Sequence, residues 1–385
     1  NLRLHGFQCK GNESLMNEKQ KIAIQYLSYK GQGVGVLDNG ERVYLPGTWP
    51  GDLCEIEAGR VVNILSSTVK KALVPCSHQG AEPGKCGGCP WMMIDYAAQL
   101  EQKQERVEFA LKKQDIDIPS EKIRPIWASP QTIGYRNRAQ FKTDGVKLGY
   151  VSQDSHELAP IKDCSILNTA CRDLLKQLHL ELPNEEWQPQ GDKKWNAIDI
   201  DDAMDAREVT LNQRRPFRQG NADQNERMRS WLEQCLEPFD RQQEILELFC
   251  GAGNFTELMA KMGFKSVRAV EVSSHAIQQL EALRLEVVYP VVLDLYDKEN
   301  WDLLASMAPK VKLLVLDPPR LGLKHARSLK KLTNLEHIFY ISCDAISFAK
   351  DTKELLKQGW HLNEVQPLDL FPHTPHVELL AQFKR

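Results

Sequence analysis

EILELFCGAGNF, residues 244–255, is an apolar strand that runs into a glycine loop and then into a helical segment. Gly251 and Gly253 let the backbone turn tightly and approach a ligand closely. A dinucleotide loop of the form G-x-G-x-x-G needs a third glycine, and position 256 is Thr, so the loop is not built for pyrophosphate. Downstream the same alternation repeats. EILELF precedes a helical stretch at 254–262, SVRAVEV one at 274–284, and VVYPVVLD one at 298–307. KLLVLD then precedes 324–332, and HIFYISC precedes 345–358. Such alternation predicts a doubly wound α/β domain with a mostly parallel sheet from about residue 214 to 385. The last apolar run, VELLAQFKR, reads as a reversed final strand.

In α/β sheets of this kind, ligands bind outside the carboxyl ends of the strands. Glu271 lies near the end of the second strand, where a carboxylate can accept both hydroxyls of a ribose. Asp294 ends the third strand, near where an adenine would lie. A G-x-G loop without pyrophosphate spacing, joined to these acids, is the arrangement of S-adenosylmethionine-dependent methyltransferases. Asp317-Pro318-Pro319 ends the fourth strand, and the prolines stiffen a loop that presents Asp317 to the cleft. Amino-methyltransferases place an aromatic residue after such a motif, to stack on an extruded base. Here the residue is Arg320, which weighs against exocyclic-amine chemistry.

Cys343 ends the fifth strand. A thiolate there can add to C6 of a uracil and turn C5 into a carbanion equivalent, after which a base must remove the C5 proton. A helix N-terminus following the cysteine is expected to lower its pKa. Glu378 is the candidate base, on the loop into the final strand, where burial would raise its pKa toward neutrality. His373 and His376 are rivals by residue type.

The rest of the chain divides in two. Residues 18–73 read as short strands broken by turns, with Asp38-Asn39-Gly40 as a hairpin signal, and predict a small OB-like barrel. Residues 74–213 hold a cysteine- and glycine-rich loop, an amphipathic helix from Tyr96 to Gln114, and a mixed, largely β region. PCSHQGAEPGKCGGCPW carries Cys76, Cys86 and Cys89, and Cys164 follows in IKDCS. Four thiolates suit tetrahedral zinc or a [4Fe-4S] cluster, and spacing does not separate these. Cys9, Cys54, Cys171, Cys235 and Cys250 show no such pattern and read as small buried residues.

With 42% hydrophobic and 26% charged residues, the 385-residue chain has the composition of a globular protein. No apolar run reaches the ~18 residues of a membrane span. Ten cysteines without a secretory signal point to a reducing compartment, the cytoplasm. A net charge of −3 confines any nucleic-acid surface to local patches. Candidate patches are 134–142, 214–218 and Pro319–Lys331.

Together LELFCGAGNFT, LDPPRLG, YISCDA and DLFPHTPHVELL resemble the RNA uracil-5-methyltransferase family, and residues 31–52 resemble a TRAM domain, an RNA-binding OB-like module. The resemblance implies Cys343 as nucleophile and Glu378 as proton-abstracting base. Its cofactor contacts fall on Gln219, Phe249, Gly251, Gly253, Asn254, Glu271, Asp294 and Asp317. It favours a [4Fe-4S] cluster on Cys76, Cys86, Cys89 and Cys164, with zinc as the alternative. The expected partner is structured RNA, 23S ribosomal RNA before tRNA, acted on by a monomer. The family usually has Asn-Pro after the nucleophile, whereas this chain has Asp344-Ala345, a carboxylate that would raise the pKa of the thiol beside it. That departure is the one support for an RNA-binding protein without catalysis.

Overall fold

The computed structural model describes residues 19–385, apart from 81, 83, 153–156, 214, 216 and 217. Cys9 and the first residue expected of the barrel lie outside the described residues. Strands β1 (Gln20–Leu27), β2 (Gly33–Val36), β3 (Arg42–Leu45), β4 (Leu53–Glu57) and β5 (Arg60–Ser66) form an antiparallel sheet in the order β3-β2-β1-β4-β5. The Asp38-Asn39-Gly40 turn joins β2 to β3 as expected, and Gly40 takes the positive φ that the turn requires. The sheet wraps a small core of Ile22, Ile24, Leu45, Cys54 and Ile56. Among the described residues β3 and β5 remain its edges.

Helix α1 (Tyr96–Lys113) follows, with Asp95 capping its first turn, as the amphipathic pattern predicts. A four-stranded antiparallel sheet, β6 (Arg138–Thr143), β7 (Leu148–Val151), β8 (Leu158–Pro160) and β9 (Asn196–Asp201), is ordered β8-β7-β6-β9. Helix α2 (Thr169–Leu180) covers it, burying Cys171, Leu174, Leu175 and Leu178.

The remaining residues form the layered domain. Helix α3 (Ala222–Leu236) leads into β10 (Glu244–Leu248), α4 (Asn254–Lys261), β11 (Ser266–Glu271), α5 (Ser274–Ala282), β12 (Val288–Val292), α6 (Asn300–Met307) and β13 (Leu313–Leu316). β14 (His337–Ser342), α7 (Ala345–Lys357), β15 (His361–Leu368) and β16 (Glu378–Lys384) complete it. The sheet order is β12-β11-β10-β13-β14-β16-β15; β10 to β14 are parallel, and β16 runs antiparallel to both β14 and β15. Alternate strand residues face opposite layers. Ile245, Leu313 and Phe339 pack under α3 and α4. Leu246, Leu314 and Ile338 pack with Trp301, Phe348 and Leu355 on the other face. Val107, Ala110 and Leu111 of α1 join that second layer. The helix expected at 324–332 is a 3₁₀ segment, Ala326–Lys331.

Candidate active site

Parallel pairing brings the strand ends level. Leu248 pairs with both Val270 and Leu316, so Phe249, Glu271 and Asp317 share one row beyond the sheet. Phe249, Gly251 and Gly253 all take positive φ, turning the loop back on itself before α4 begins at Asn254. A Cβ placed on Gly251 would meet nothing within 4 Å, so the loop leaves open space above it. Glu271 braces the loop: its carboxylate accepts from the Gly251 N–H at 3.2 Å and the Ser273 N–H at 2.9 Å. Each oxygen keeps a lone pair for hydroxyl donors.

Asp294 accepts the Tyr296 N–H at 2.8 Å, and the Tyr296 ring stands edge-on to Phe249 at 6.1 Å. Asn254 is paired with Asn225 of α3 through both side-chain amides. Thr256, where a dinucleotide loop would carry glycine, donates its hydroxyl to the fully buried Glu247. The Glu271 carboxylate, as acceptor, and the open glycine loop suit a ligand that carries ribose hydroxyls, as S-adenosylmethionine does. Gln219, two residues before the α3 cap Asn221, makes no hydrogen bond to any of these residues within the described structure.

At the neighbouring strand ends, Ser342 pairs with Leu379 across the antiparallel β14–β16 ladder. One step further, that register sets Cys343 opposite Glu378. Glu378 is the first residue of β16, buried at 6% exposure, and the burial, reinforced by Asp317, lifts its pKa to about 8. Asp317 is itself raised to about 7, by burial and then by Glu271. The thiol differs from expectation. Burial and the fields of Glu378 and Asp317 push Cys343 up to about 12, against the opposing charge of Arg320. The helix terminus does not offset this. Asp344 caps α7, accepting the N–H groups of Ile346 at 3.0 Å and Ser347 at 2.8 Å, so those donors serve a carboxylate rather than the sulfur.

The rival histidines are held elsewhere. His373 is buried, its Nδ1 3.2 Å from the Gln99 side-chain nitrogen. His376 is held down to about 4 by burial and by Arg320, which lies 3.5 Å away. The loop carrying Arg320 is tied to α7 by Asp351, which accepts the Leu323 N–H and the Tyr340 hydroxyl, each at 2.7 Å.

A groove of about 1350 Å³ opens beside Cys343 and Asp344, between the N-terminal sheet, α1 and the start of α7. Tyr26, Tyr44 and Phe109 line it at 42%, 53% and 66% exposure. Lys30, Arg42, Lys113 and Lys350 also line it, and among the described residues none of the four enters an ion pair. Sequence reading missed these cations, which are scattered singly and form no run. In the basic runs it singled out, several cations are paired internally. Arg138 pairs with Asp199, Arg215 with Asp201, Arg218 with Asp202, Arg327 with Glu354 and Lys331 with Asp302.

Cys76, Cys86, Cys89 and Cys164 line one cavity of about 20 Å³ with Met92, Tyr150 and Ile161. Burial raises the thiols of Cys86, Cys89 and Cys164, and the neighbouring cysteines add to the shift in each. The four cysteines offer sulfur alone, the donor type that a soft metal or an iron–sulfur centre takes. Among the described residues no group of three or more His, Cys, Asp or Glu side chains is drawn up closely enough to hold a single metal ion. Of the other cysteines, Cys54, Cys171 and Cys250 are buried and Cys235 is half-buried. No helix among the described residues is long and apolar enough to cross a membrane.

The chain is similar to several known proteins. Residues 194–283 and 305–384 match the model of the tRNA (uracil-5-)-methyltransferase family. An uncharacterized RNA methyltransferase of Nitrosomonas europaea is 43% identical over 94% of this chain and 96% of its own. A 23S rRNA (uracil(1939)-C(5))-methyltransferase of Halomonas elongata is 28% identical over 94% of this chain and 88% of its own. The solved tRNA (uracil-54, C5)-methyltransferase of Pyrococcus abyssi, in complex with S-adenosyl-L-homocysteine, superposes with a TM-score of 0.67 at 19% identity, over 94% of this chain and 99% of that one.

Proposed function

The chain belongs to the RNA uracil-5-methyltransferase family, and from that premise we propose that it makes 5-methyluridine in 23S ribosomal RNA through a covalent bond to Cys343. The observation that carries the reading is the register of β14 and β16, which sets a thiol opposite a buried carboxyl at the cofactor end of the sheet. The ribosomal target draws on relatives bearing that name at 25–28% identity; tRNA is the alternative.

The uridine is flipped from its stack into the cleft, at a cost of a few kcal/mol offset by RNA contacts. The Cys343 thiol loses its proton to water, and Arg320 is the cation whose field favours the resulting thiolate. Sulfur bonds to C6, the C5=C6 electron pair shifts toward O4, and C5 takes up the methyl group. The sulfonium of bound S-adenosylmethionine supplies that methyl. Glu378 then removes the C5 proton, the C5=C6 bond reforms and sulfur leaves C6. Glu271 takes the ribose hydroxyls, Asp294 the adenine side, and Phe249, Gly251, Gly253, Asn254 and Gln219 complete the cofactor's surroundings. Asp317 would contact the cofactor and lie near the target uracil.

Replacing Cys343 with Ala is expected to abolish methyl transfer and leave S-adenosylmethionine binding intact. RNA carrying 5-fluorouridine, which has no C5 proton to give up, should remain bonded to Cys343 of the native enzyme. Methylation by the Ala variant would sink the mechanism. Mapping 5-methyluridine in 23S rRNA and tRNA of cells lacking the gene identifies the target.

The N-terminal sheet would act as the TRAM-like RNA-binding unit. Cys76, Cys86, Cys89 and Cys164 would hold a [4Fe-4S] cluster that staples the loop and takes no part in the reaction, with zinc as the alternative. Anaerobically purified protein should then carry close to four iron and four sulfide per chain, lost on Cys89→Ser. Iron-free protein with stoichiometric zinc would decide for zinc.

A further inference from the structure

The turn between β1 and β2 reaches the nucleophile from the far end of the chain. Tyr29 in that turn donates its hydroxyl to Asp344 Oδ2 at 2.5 Å, while Oδ1 of the same carboxylate caps α7. The turn itself is clamped. Arg106 of α1 donates to the carbonyls of Ser28 at 3.1 Å and Tyr29 at 2.7 Å, and its guanidinium lies over the rings of Tyr29 and Trp91. The Trp91 indole N–H donates to the Gly31 carbonyl at 2.9 Å. A Cβ on Gly31 would come within 3.1 Å of Pro375, so the turn also lies against the segment that leads into Glu378. Thus one turn of the N-terminal sheet touches the residue after the nucleophile and the segment before the base.

We propose that Tyr29 is a positioning residue for methyl transfer: by occupying the outer oxygen of Asp344 it couples the seating of the N-terminal sheet to the orientation and reactivity of Cys343. The proposal rests on reading Cys343 as the nucleophile. Asp344 is the carboxylate nearest in sequence to that sulfur, and an anion beside a thiol opposes its ionisation. The other charged or titratable groups around the thiol are Glu378 of β16, Asp317 and Arg320 after β13, Tyr340 of β14 and His376 before β16, with Arg106 of α1 and Lys350 of α7 on the groove wall. Of the polar side chains in the N-terminal sheet, Tyr29 alone is hydrogen-bonded to Asp344 among the described residues. Its O–H neutralises part of the field of that anion and fixes the carboxylate that sets the start of α7. A sheet lifted from the groove would lose this contact, leaving a less reactive sulfur.

The test uses the intact protein and two readouts. The first is the rate of alkylation of Cys343 by iodoacetamide at one fixed pH, followed by mass spectrometry, which tracks the thiolate fraction; the second is methyl transfer to RNA. Tyr29→Phe, which keeps the ring and removes the donor, is expected to slow alkylation. It should also lower kcat about tenfold, with KM for RNA and for S-adenosylmethionine unchanged. Asp344→Asn and Asp344→Ser retain a capping side chain without the charge and should speed alkylation. In either background Tyr29→Phe should add little. An unchanged alkylation rate in Tyr29→Phe, effects that add in the double variants, or a rise in KM for RNA alone would overturn the proposal; the last would make Tyr29 a stacking platform. Failure of the underlying reading looks different: methylation by Cys343→Ala would remove the nucleophile while leaving the changes in alkylation rate in place.

Discussion

Glu378 sits at 6% exposure with its pKa lifted to about 8, so near neutral pH the free enzyme holds much of it protonated. A base must be ionised to take the C5 proton, and methyl transfer should therefore gain rate as pH rises toward about 8. Glu378→Gln is expected to lower turnover by about 10²–10⁴ and to trap RNA on Cys343, because the C5 proton then has no acceptor. A denaturing gel reads this directly: a shifted, RNA-linked band from the Gln variant and native RNA. A slow variant with no such band would move the base elsewhere. Asp344 is read differently once its hydrogen bonds are seen. In the sequence it is only an added charge beside the sulfur; in the structure it is the cap of α7 and the acceptor for Tyr29.

At the scale of elements, α1 holds the segment that precedes Glu378. Lys103, with no exposed side-chain surface, pairs with the equally buried Asp369 and donates to the Phe371 carbonyl at 3.0 Å. The Tyr96 hydroxyl donates to Asp369 at 2.8 Å and accepts the Ser129 N–H at 2.8 Å. Gln99 receives the His373 N–H at 2.9 Å. These bonds fix residues 369–376, the approach to Glu378. Lys103→Met would strand the Asp369 carboxylate in the interior, with an expected loss of about 3–5 kcal/mol in denaturant unfolding. Asp369→Asn combined with it should recover part of that loss; no recovery would mean that the pair is not the source. The amphipathic period of α1 is plain in the sequence, but the partner of Lys103 lies 266 residues away, beyond any local pattern.

Across the whole molecule, burial lifts four carboxyls: Glu247 and Glu378 to about 8, Asp317 to about 7 and Asp351 to about 6. Each has a folded pKa above its unfolded one, so between about pH 4 and 8 these four groups bind more protons in the folded chain than in the unfolded one. Below about pH 6.5 the buried His376, held down to about 4, opposes them, because it takes up its proton only on unfolding. Above that, the contribution of the raised carboxyls to stability falls as pH rises. The ligand-free protein is expected to melt progressively lower from about pH 6.5 toward about pH 8, measured by scanning calorimetry. Glu378→Gln should flatten the slope. A melting temperature that rises over the same range would contradict the burial of these groups.

The doubly wound sheet was legible because strand and helix periods alternate from residue 244 onward, and each period is a local property of the chain. The glycine loop, Glu271, Asp317, Cys343 and Glu378 were legible for a related reason: the ends of strands are where such a sheet gathers its chemistry. Helix α3 was not singled out, although Asn221 as cap and Met228, Trp231, Leu232 and Leu236 at helical spacing carried its signal. Only tertiary structure decided the ionisation of the site, since desolvation depends on what packs around a group and on no neighbour in sequence. It also decided which cations face the groove and which are spent in ion pairs. And it alone brought Tyr29 to Asp344 across 315 residues, a hydrogen bond that exists because two sheets and α1 meet at one groove.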